Sequence, residues 1–324
     1  MKKHYQKLYD LIKQANNIIC IRHINCDLDA CGSVGSFAQL IQDNFVNKKV
    51  YIDGTPCLRL KKLINFTSLE QNYFKNALVI IFDTSVIERI DSNFWNHGKT
   101  IVKFDHHLRT NLKSYNFADF DVIDSSAVAT TQMITEFAIA NKLKISKQAA
   151  KLLFLGLIGD SGRFLFPKVN QKTFLCAYNL LKAKINIQNI YNLIYTQKLS
   201  LLKLRTIFIN KIKVKENVGY IILKPYLVNF YNLTEQIIKQ EVNIMSNIKE
   251  IKIWFIAYQL SKNSKIKISV RSNLYNIHEV AKKFNGGGHQ TACGTFLNKW
   301  KQLPFFVFSL QMCIKKNNFI ANKN

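Results

Sequence analysis

Apolar positions in the first half of the chain gather into short unbroken runs: NIICIRH at 17–23, KKVYID at 48–53, ALVIIFD at 77–83 and TIVKFDH at 100–106. Runs that stay apolar throughout predict strands of a parallel sheet buried on both faces. Between them lie stretches whose apolar residues recur at three and four, among them VGSFAQLIQDNF and SAVATTQMITEFAIANKL near 126–143. These predict helices, the second entered through Asp124, Ser125 and Ser126 as N-caps. Strand and helix alternate, so the first domain, 1–184, is expected to be α/β.

From about 185 the pattern becomes one long helical run, IQNIYNLIYTQKLSLLKLRTIFINKI, expected to act as a connector over 185–212. Beyond it, KIKVKENVGYIILK and KIKISVRS alternate lysine with apolar residues. That texture predicts strands with one buried and one wet face, in a smaller α+β domain over 213–324.

Composition refines this picture. Forty-eight per cent hydrophobic residues in 324 supply a core for each domain. Forty-six Lys and Arg against 20 Asp and Glu give a net charge of +26, which suits an anionic partner such as nucleic acid. Few of the basic residues are Arg, however, and the chain is crowded with Lys, Asn and Ile, a mark of biased codon usage. A solvated lysine-rich surface is therefore the stronger reading of the charge. The longest apolar stretches, ALVIIF and LPFFVFSL, fall far short of the roughly 20 residues that cross a bilayer. The basic N-terminus becomes an amphipathic helix rather than a signal peptide, so no membrane association is expected and the cytoplasm is the expected location. Seven cysteines without a CxxC pair imply reduced thiols.

Chemistry collects where the apolar runs stop. In open parallel sheets, ligands sit beyond the carboxyl ends of the strands. There lie His23, Asp27 and Asp29 in HINCDLDACGS, Asp83 in IIFDTS, and Asp105, His106 and His107 in VKFDHH; Asp160 follows in GLIGDSGRF. A single aspartate at a strand end is usually a helix cap, and a lone histidine is usually a packed or solvated group. Four such endings together point to a divalent cation site. Mixed Asp and His donors favour Mn²⁺ or Mg²⁺ over structural zinc.

These four motifs, in this order, resemble those of the DHH phosphoesterase superfamily. ISVRS at 268–272 and FNGGGHQTACG at 284–294 resemble the Arg-Ser strand and GGGH motif of the DHH-associated C-terminal domain. The resemblance runs over nearly the whole chain and is closest to the bifunctional oligoribonucleases and adenosine bisphosphate phosphatases. It implies two divalent metal ions, Mn²⁺ first and Mg²⁺ or Co²⁺ as substitutes, in a cleft between the domains. His23, Asp27 and Asp83 would hold one, and Asp29, Asp83, His106 and Asp160 the other, the pair sharing a hydroxide nucleophile. His107 would contact the scissile phosphate and Asp105 would orient an imidazole. Arg271, Ser272, Gly286, Gly287, Gly288 and His289 would bind the nucleotide end of the substrate. The implied substrates are short RNA oligonucleotides and adenosine bisphosphate, and analogy with the family allows a homodimer. Alternatives left open are a RecJ-like single-strand DNA exonuclease, a linear dinucleotide phosphodiesterase, and a nucleotide-binding or RNA-binding protein without catalysis. Cys26, Leu28, Cys31 and Asn285 depart from the family's pattern, while the implied metal ligands are all present.

Overall fold

A computed structural model describes residues 1–57, 60–107 and 116–321, without the side chains of His289 and 317–321. The chain divides into two units, Met1–Thr196 and Gln197–Asn324.

In the first unit, β1 (Asn17–Ile21), β2 (Lys49–Ile52), β3 (Leu78–Phe82), β4 (Thr100–Asp105) and β5 (Phe120–Ile123) form a sheet in the order β2-β1-β3-β4-β5. Every neighbouring pair is parallel. The apolar runs become strands because both faces are covered. Ile18 and Cys20 of β1 and Leu78, Ile80 and Phe82 of β3 enter one core, whereas Ile19, Ile21, Val79 and Ile81 enter the other. Burying each such aliphatic side chain contributes about 1.5–3 kcal/mol. β5 was not expected, since FDVI is short and carries an aspartate that breaks its apolar run.

The helices of this unit are α1 (Lys2–Gln14), α2 (Leu28–Asn44), the single turn α3 (Gln71–Phe74), α4 (Thr130–Ala140), α5 (Lys147–Asp160), α6 (Gln171–Leu181) and α7 (Ile187–Tyr195). All but α3 contribute to the larger core, and Phe74 of α3 packs into the smaller one. The chain leaves β1 towards β2 on one side and returns to β3 on the other. This reversal of direction between β1 and β3 opens the crevice where doubly wound sheets take their ligands.

In the second unit, α8 (Leu199–Ile209) precedes β6 (Lys213–Lys215), β7 (Val218–Leu223), α9 (Pro225–Phe230) and α10 (Glu235–Gln240). Then come β8 (Ile253–Tyr258), β9 (Ile266–Ser272), α11 (His278–Lys283), β10 (Gly287–His289), β11 (Ala292–Leu297) and α12 (Leu303–Ala321). The sheet order is β10-β11-β9-β8-β7-β6, with β7 and β8 parallel and the other pairs antiparallel.

Two expectations need correction. The sheet of the second unit is not simply wet on one face: Ile253, Phe255 and Ala257 of β8 pack with Phe306 and Leu310 of α12, while Trp254, Ile256 and Tyr258 pack with Phe208, Ile238 and Val242. Helical segments cover β8 from both sides, so a wet face survives only in part, as at Lys267. The helical run after 185 is also not continuous. It breaks at Thr196, which is extended, because Ile190 and Ile194 of α7 are seated in the first unit's core and Phe208 of α8 in the second's. Among the described residues, no helix is long and apolar enough to cross a membrane.

Candidate active site

β1, β3 and β4 are adjacent, so their carboxyl ends deliver three loops to one place. His23 lies just beyond β1, Asp83 just beyond β3, and Asp105 closes β4 ahead of His106 and His107. α2 adds Asp27 and Asp29, and α5 ends on Asp160. Asp27 is the N-cap of α2: one of its oxygens accepts from the Ala30 amide at 2.9 Å, and the other lies 3.6 Å from His23 Nε2. The second-position offset puts Asp29 inside the first turn and fully buried, while Asp27 stays exposed.

Asp83 is the hub. Its Oδ2 lies 3.5 Å from His23 Nε2, and its Oδ1 lies 3.4 Å from His106 Nε2 and 3.6 Å from His107 Nδ1. Its backbone is in the left-handed region, with φ of 56°. A non-glycine residue held there costs of order 1–3 kcal/mol, and such positions concentrate at functional sites. His106 Nε2 is also 3.4 Å from Asp160 Oδ2.

The imidazoles are aimed by their second nitrogens. His23 Nδ1 lies 2.8 Å from the Ile24 carbonyl, and His106 Nδ1 lies 3.4 Å from that of Ala127, so each ring turns Nε2 towards the carboxylates. His107 differs: its Nδ1–H donates to Asp105 Oδ1 at 2.7 Å, and its backbone amide donates to the same oxygen at 3.2 Å. Asp105 therefore sets the ring of His107.

Several residues at the site were not singled out from the sequence. Asp29 accepts from the backbone amides of Thr130 at 2.7 Å and Thr131 at 3.0 Å, and from the Thr131 hydroxyl at 2.5 Å. The Thr130 hydroxyl donates to Asp83 Oδ1 at 3.1 Å. The helix expected from 126 in fact begins at Thr130, and its N-cap Ala129 has no capping side chain. Asp29 satisfies the first amides of this helix from across the fold, which is why Asp124, Ser125 and Ser126 are not needed as caps. Gly156 of α5 makes room for this contact, since a Cβ there would lie 2.9 Å from Asp29 Oδ1. Two threonines opening a helix after a strand are the signal that could have been read. Arg22, almost wholly buried, donates to the His23 carbonyl at 3.1 Å and also bonds Asp91 and the Thr55 carbonyl, bracing the first loop.

Electrostatics show what the protein alone leaves unsettled. Burial opposes charge on His23, but the facing carboxylates of Asp27 and Asp83 push it up to about 10. Burial likewise disfavours the His106 cation, yet Asp160 and Asp83 raise it well above the usual imidazole range. His107 is raised by Asp105 against the same burial. Burial would raise Asp83, but His106 and His23 hold it well below the usual carboxylate range. Asp29 goes the other way, pushed up by burial and then by the charges of Asp83 and Asp160. Packing so many carboxylates together is tolerable only beside positive charge.

The donor set fits divalent cations. His23, Asp27 and Asp83 offer ligand atoms within 4.8 Å of one another, as do Asp29, His106 and Asp160. Among the described residues, the buried His106 Nε2 has no hydrogen-bond partner, the condition expected of a lone pair directed at a cation.

The residues singled out in the second unit are arranged differently. The strand register aligns Arg271 with Ala292, and Ala292 with His289. The side chain of His289 lies outside the described residues. Arg271 Nη1 donates to the carbonyls of Val270 at 2.8 Å and Cys293 at 3.3 Å, and Ser272 Oγ donates to the Tyr275 carbonyl at 2.5 Å. Gly286 and Gly288 lie against β11, where added Cβ atoms would come within 2.3 Å of the Gly294 carbonyl oxygen and 2.4 Å of the Ala292 carbonyl oxygen respectively. Gly287 faces open space. Asn285 takes φ of 57°, a conformation asparagine tolerates better than most residues.

Fold and site together define an α/β protein with a candidate divalent-cation centre at the ends of its parallel strands and a separate α+β unit. Residues 17–157 match the N-terminal domain of the DHH family and residues 223–316 match the DHHA1 domain, so the chain belongs to the DHH family. It is 32% identical to the bifunctional oligoribonuclease and PAP phosphatase NrnA of Mycoplasma genitalium, over 94% of this chain and 95% of that one. It is 28% identical to the protein of that name from Bacillus subtilis, over 96% and 99%. An exopolyphosphatase-related protein from Bacteroides fragilis shares the fold, with a TM-score of 0.84 at 21% identity over 99% of this chain and 98% of that one.

Proposed function

We propose that the protein is a metal-dependent phosphoesterase that hydrolyses short oligoribonucleotides to mononucleotides and removes the 3′-phosphate of 3′-phosphoadenosine 5′-phosphate. The observation that carries this reading is the convergence of His23, Asp27, Asp29, Asp83, His106 and Asp160, with the buried His106 Nε2 lacking a hydrogen-bond partner among the described residues. The relatives named above, aligned over nearly their full length, support the choice of substrates.

In this reading His23, Asp27 and Asp83 hold one cation and Asp29, Asp83, His106 and Asp160 the other, with Mn²⁺ preferred. Two divalent cations bound there supply a water of lowered pKa and positive charge against the phosphoryl oxygens. Hydrolysis adds hydroxyl to phosphorus and returns a proton to the leaving ribose oxygen, with no covalent enzyme intermediate. His107, oriented by Asp105 and raised by it against the opposing effect of burial, donates to a phosphoryl oxygen as charge builds on it. Thr130 and Thr131 keep Asp29 and Asp83 in place by donating to them. Arg271, Ser272, Gly286, Gly287, Gly288 and His289 recognise the nucleotide end.

The test is a substrate panel. Purified protein with Mn²⁺ is offered a labelled ribodinucleotide, a long RNA, single-stranded DNA and the adenosine bisphosphate. Turnover of the dinucleotide and the bisphosphate is expected, and the long RNA should be degraded poorly. Failure on every substrate would sink the reading, and preference for single-stranded DNA would replace it with an exonuclease.

A further inference from the structure

Three cysteines meet beside the site without taking part in it. Cys26 precedes Asp27, Cys31 lies in the first turns of α2, and Cys57 arrives from the segment after β2. Their sulfurs all lie within 4.8 Å of one another, and Cys26 and Cys31 are 3.1 Å apart. Cys31 is fully buried and the other two are half-buried. Among the described residues this is the one grouping of potential metal donors made wholly of sulfur.

A second observation concerns the neighbouring cation. Arg22 is 1% exposed and its Nε has no hydrogen-bond partner among the described residues, although the rest of the guanidinium is bonded to His23, Asp91 and Thr55. Its charge acts on the sulfurs of Cys26 and Cys31. Three thiolates around a divalent ion carry one net negative charge, and a buried guanidinium nearby, itself paired with Asp91, lowers the cost of holding it there. Sulfur donors select soft cations, while the carboxylate and imidazole cluster suits hard ones. Two metal sites of opposite preference can therefore lie side by side.

We propose that Cys26, Cys31 and Cys57 form a three-thiolate site for a thiophilic cation of the Zn²⁺ class, distinct from the His and Asp centre. Binding displaces three thiol protons to solvent and leaves the fourth coordination position to water. Occupancy ties the segment after β2 to the start of α2, on either side of Asp27 and Asp29. The site acts as a clamp on the loop that presents those aspartates and takes no part in hydrolysis.

The experiment uses the full chain, reduced and stripped of metal, titrated with Cd²⁺ while the ultraviolet thiolate-to-cadmium charge-transfer band is followed. The band is expected to saturate at about one ion per chain and to persist in Asp83→Asn, whose lesion lies in the hard centre. It should be lost in Cys57→Ser and in Cys26→Ser, and be unchanged in Cys176→Ser, a buried thiol elsewhere. Zn²⁺ should displace Cd²⁺, and it should raise the Tm of the wild type but not of Cys57→Ser. No band in folded wild type, or a band that survives both serine variants, would overturn the proposal. So would mass-spectrometric detection of a Cys26–Cys31 disulfide that forms equally fast with and without Zn²⁺, which would make the pair a redox couple.

Discussion

The cluster at the ends of β1, β3 and β4 and the β9–β10–β11 region are both built from residues that read as chemical in the sequence, yet their physical situations are opposite. In the first, buried charges lean on one another: Asp29 is pushed up, Asp83 is pushed down, and His106 Nε2 has no hydrogen-bond partner among the described residues. In the second, Arg271 and Ser272 already donate to carbonyls, and Gly286 and Gly288 are required by the packing of a hairpin. A site that the fold leaves electrostatically unfinished announces its cofactor. A motif with structural duties has to be tested for any other.

The sharpest test of the first cluster is Asp83→Asn. Asparagine tolerates the left-handed backbone at 83, so the fold should survive while the hub carboxylate is lost. Turnover should fall on the order of 10³-fold, the scale of removing a group that stabilises the transition state. Calorimetry should show Mn²⁺ binding lost in parallel. Activity within tenfold of wild type would break the contrast at its stronger end.

The glycines test the other side. Gly288 has φ of 134°, and a Cβ there would lie 2.4 Å from the Ala292 carbonyl oxygen, whereas nothing lies within 4 Å at Gly287. Gly288→Ala should destabilise the protein by about 2 kcal/mol. Gly287→Ala should leave stability within about 0.5 kcal/mol of wild type. If Gly287→Ala nevertheless raises KM for the dinucleotide at constant kcat, the motif binds substrate as well as closing a hairpin. Unchanged KM would assign the glycines to packing alone.

A smaller effect is expected at Thr131. Thr131→Val keeps the shape and the backbone amide but removes the hydroxyl 2.5 Å from Asp29 Oδ1. Partners that orient ligands are typically worth 10–100-fold in metal affinity. Mn²⁺ affinity should fall by about that factor, measured by calorimetry, with Tm of the metal-free protein little changed. Equal loss in both quantities would make Thr131 a structural residue.

These cases show why some of the molecule was legible in the sequence and some was not. The metal-ligand candidates stand out because each ends an apolar run or follows one closely, and a charged residue there has little reason to exist for packing. Thr130 and Thr131 did not stand out, because what distinguishes them is a contact with Asp29 across a sequence separation of 101 and 102 residues. The break at Thr196 was hidden for a similar reason, since helical periodicity continues across it while α7 and α8 serve different cores. Lysines alternating along the flanking strands pointed to a wet face. The helical segments that bury both faces of β8 are tertiary partners that no local pattern announces.

The least effect, and the one that separates the two kinds of carboxylate most cleanly, belongs to Glu235. Lys239 and Lys267 each approach it at 2.6 Å, and the Tyr258 hydroxyl donates to it at 3.2 Å. Those lysines hold its carboxyl down to about 2, below the ordinary 4.5. Between these values the unfolded chain binds more protons than the native one, so the stability Glu235 adds is present above about 4.5 and disappears as pH falls towards about 2. Because the cluster is near the surface, Glu235→Gln should cost only about 0.5–1 kcal/mol at neutral pH and low salt. Asp29 should behave with the opposite sign. Its carboxyl is raised, so the metal-free native state holds a proton that the unfolded chain releases, and stability falls as pH rises past the usual carboxylate range. Denaturant titrations across pH should therefore show the Glu235→Gln difference shrinking on acidification. For metal-free Asp29→Asn the variant should gain on wild type as pH rises, and saturating Mn²⁺ should cancel that gain. A cation that failed to reverse the Asp29 trend would mean that the buried aspartate is not a ligand, whatever its neighbours are.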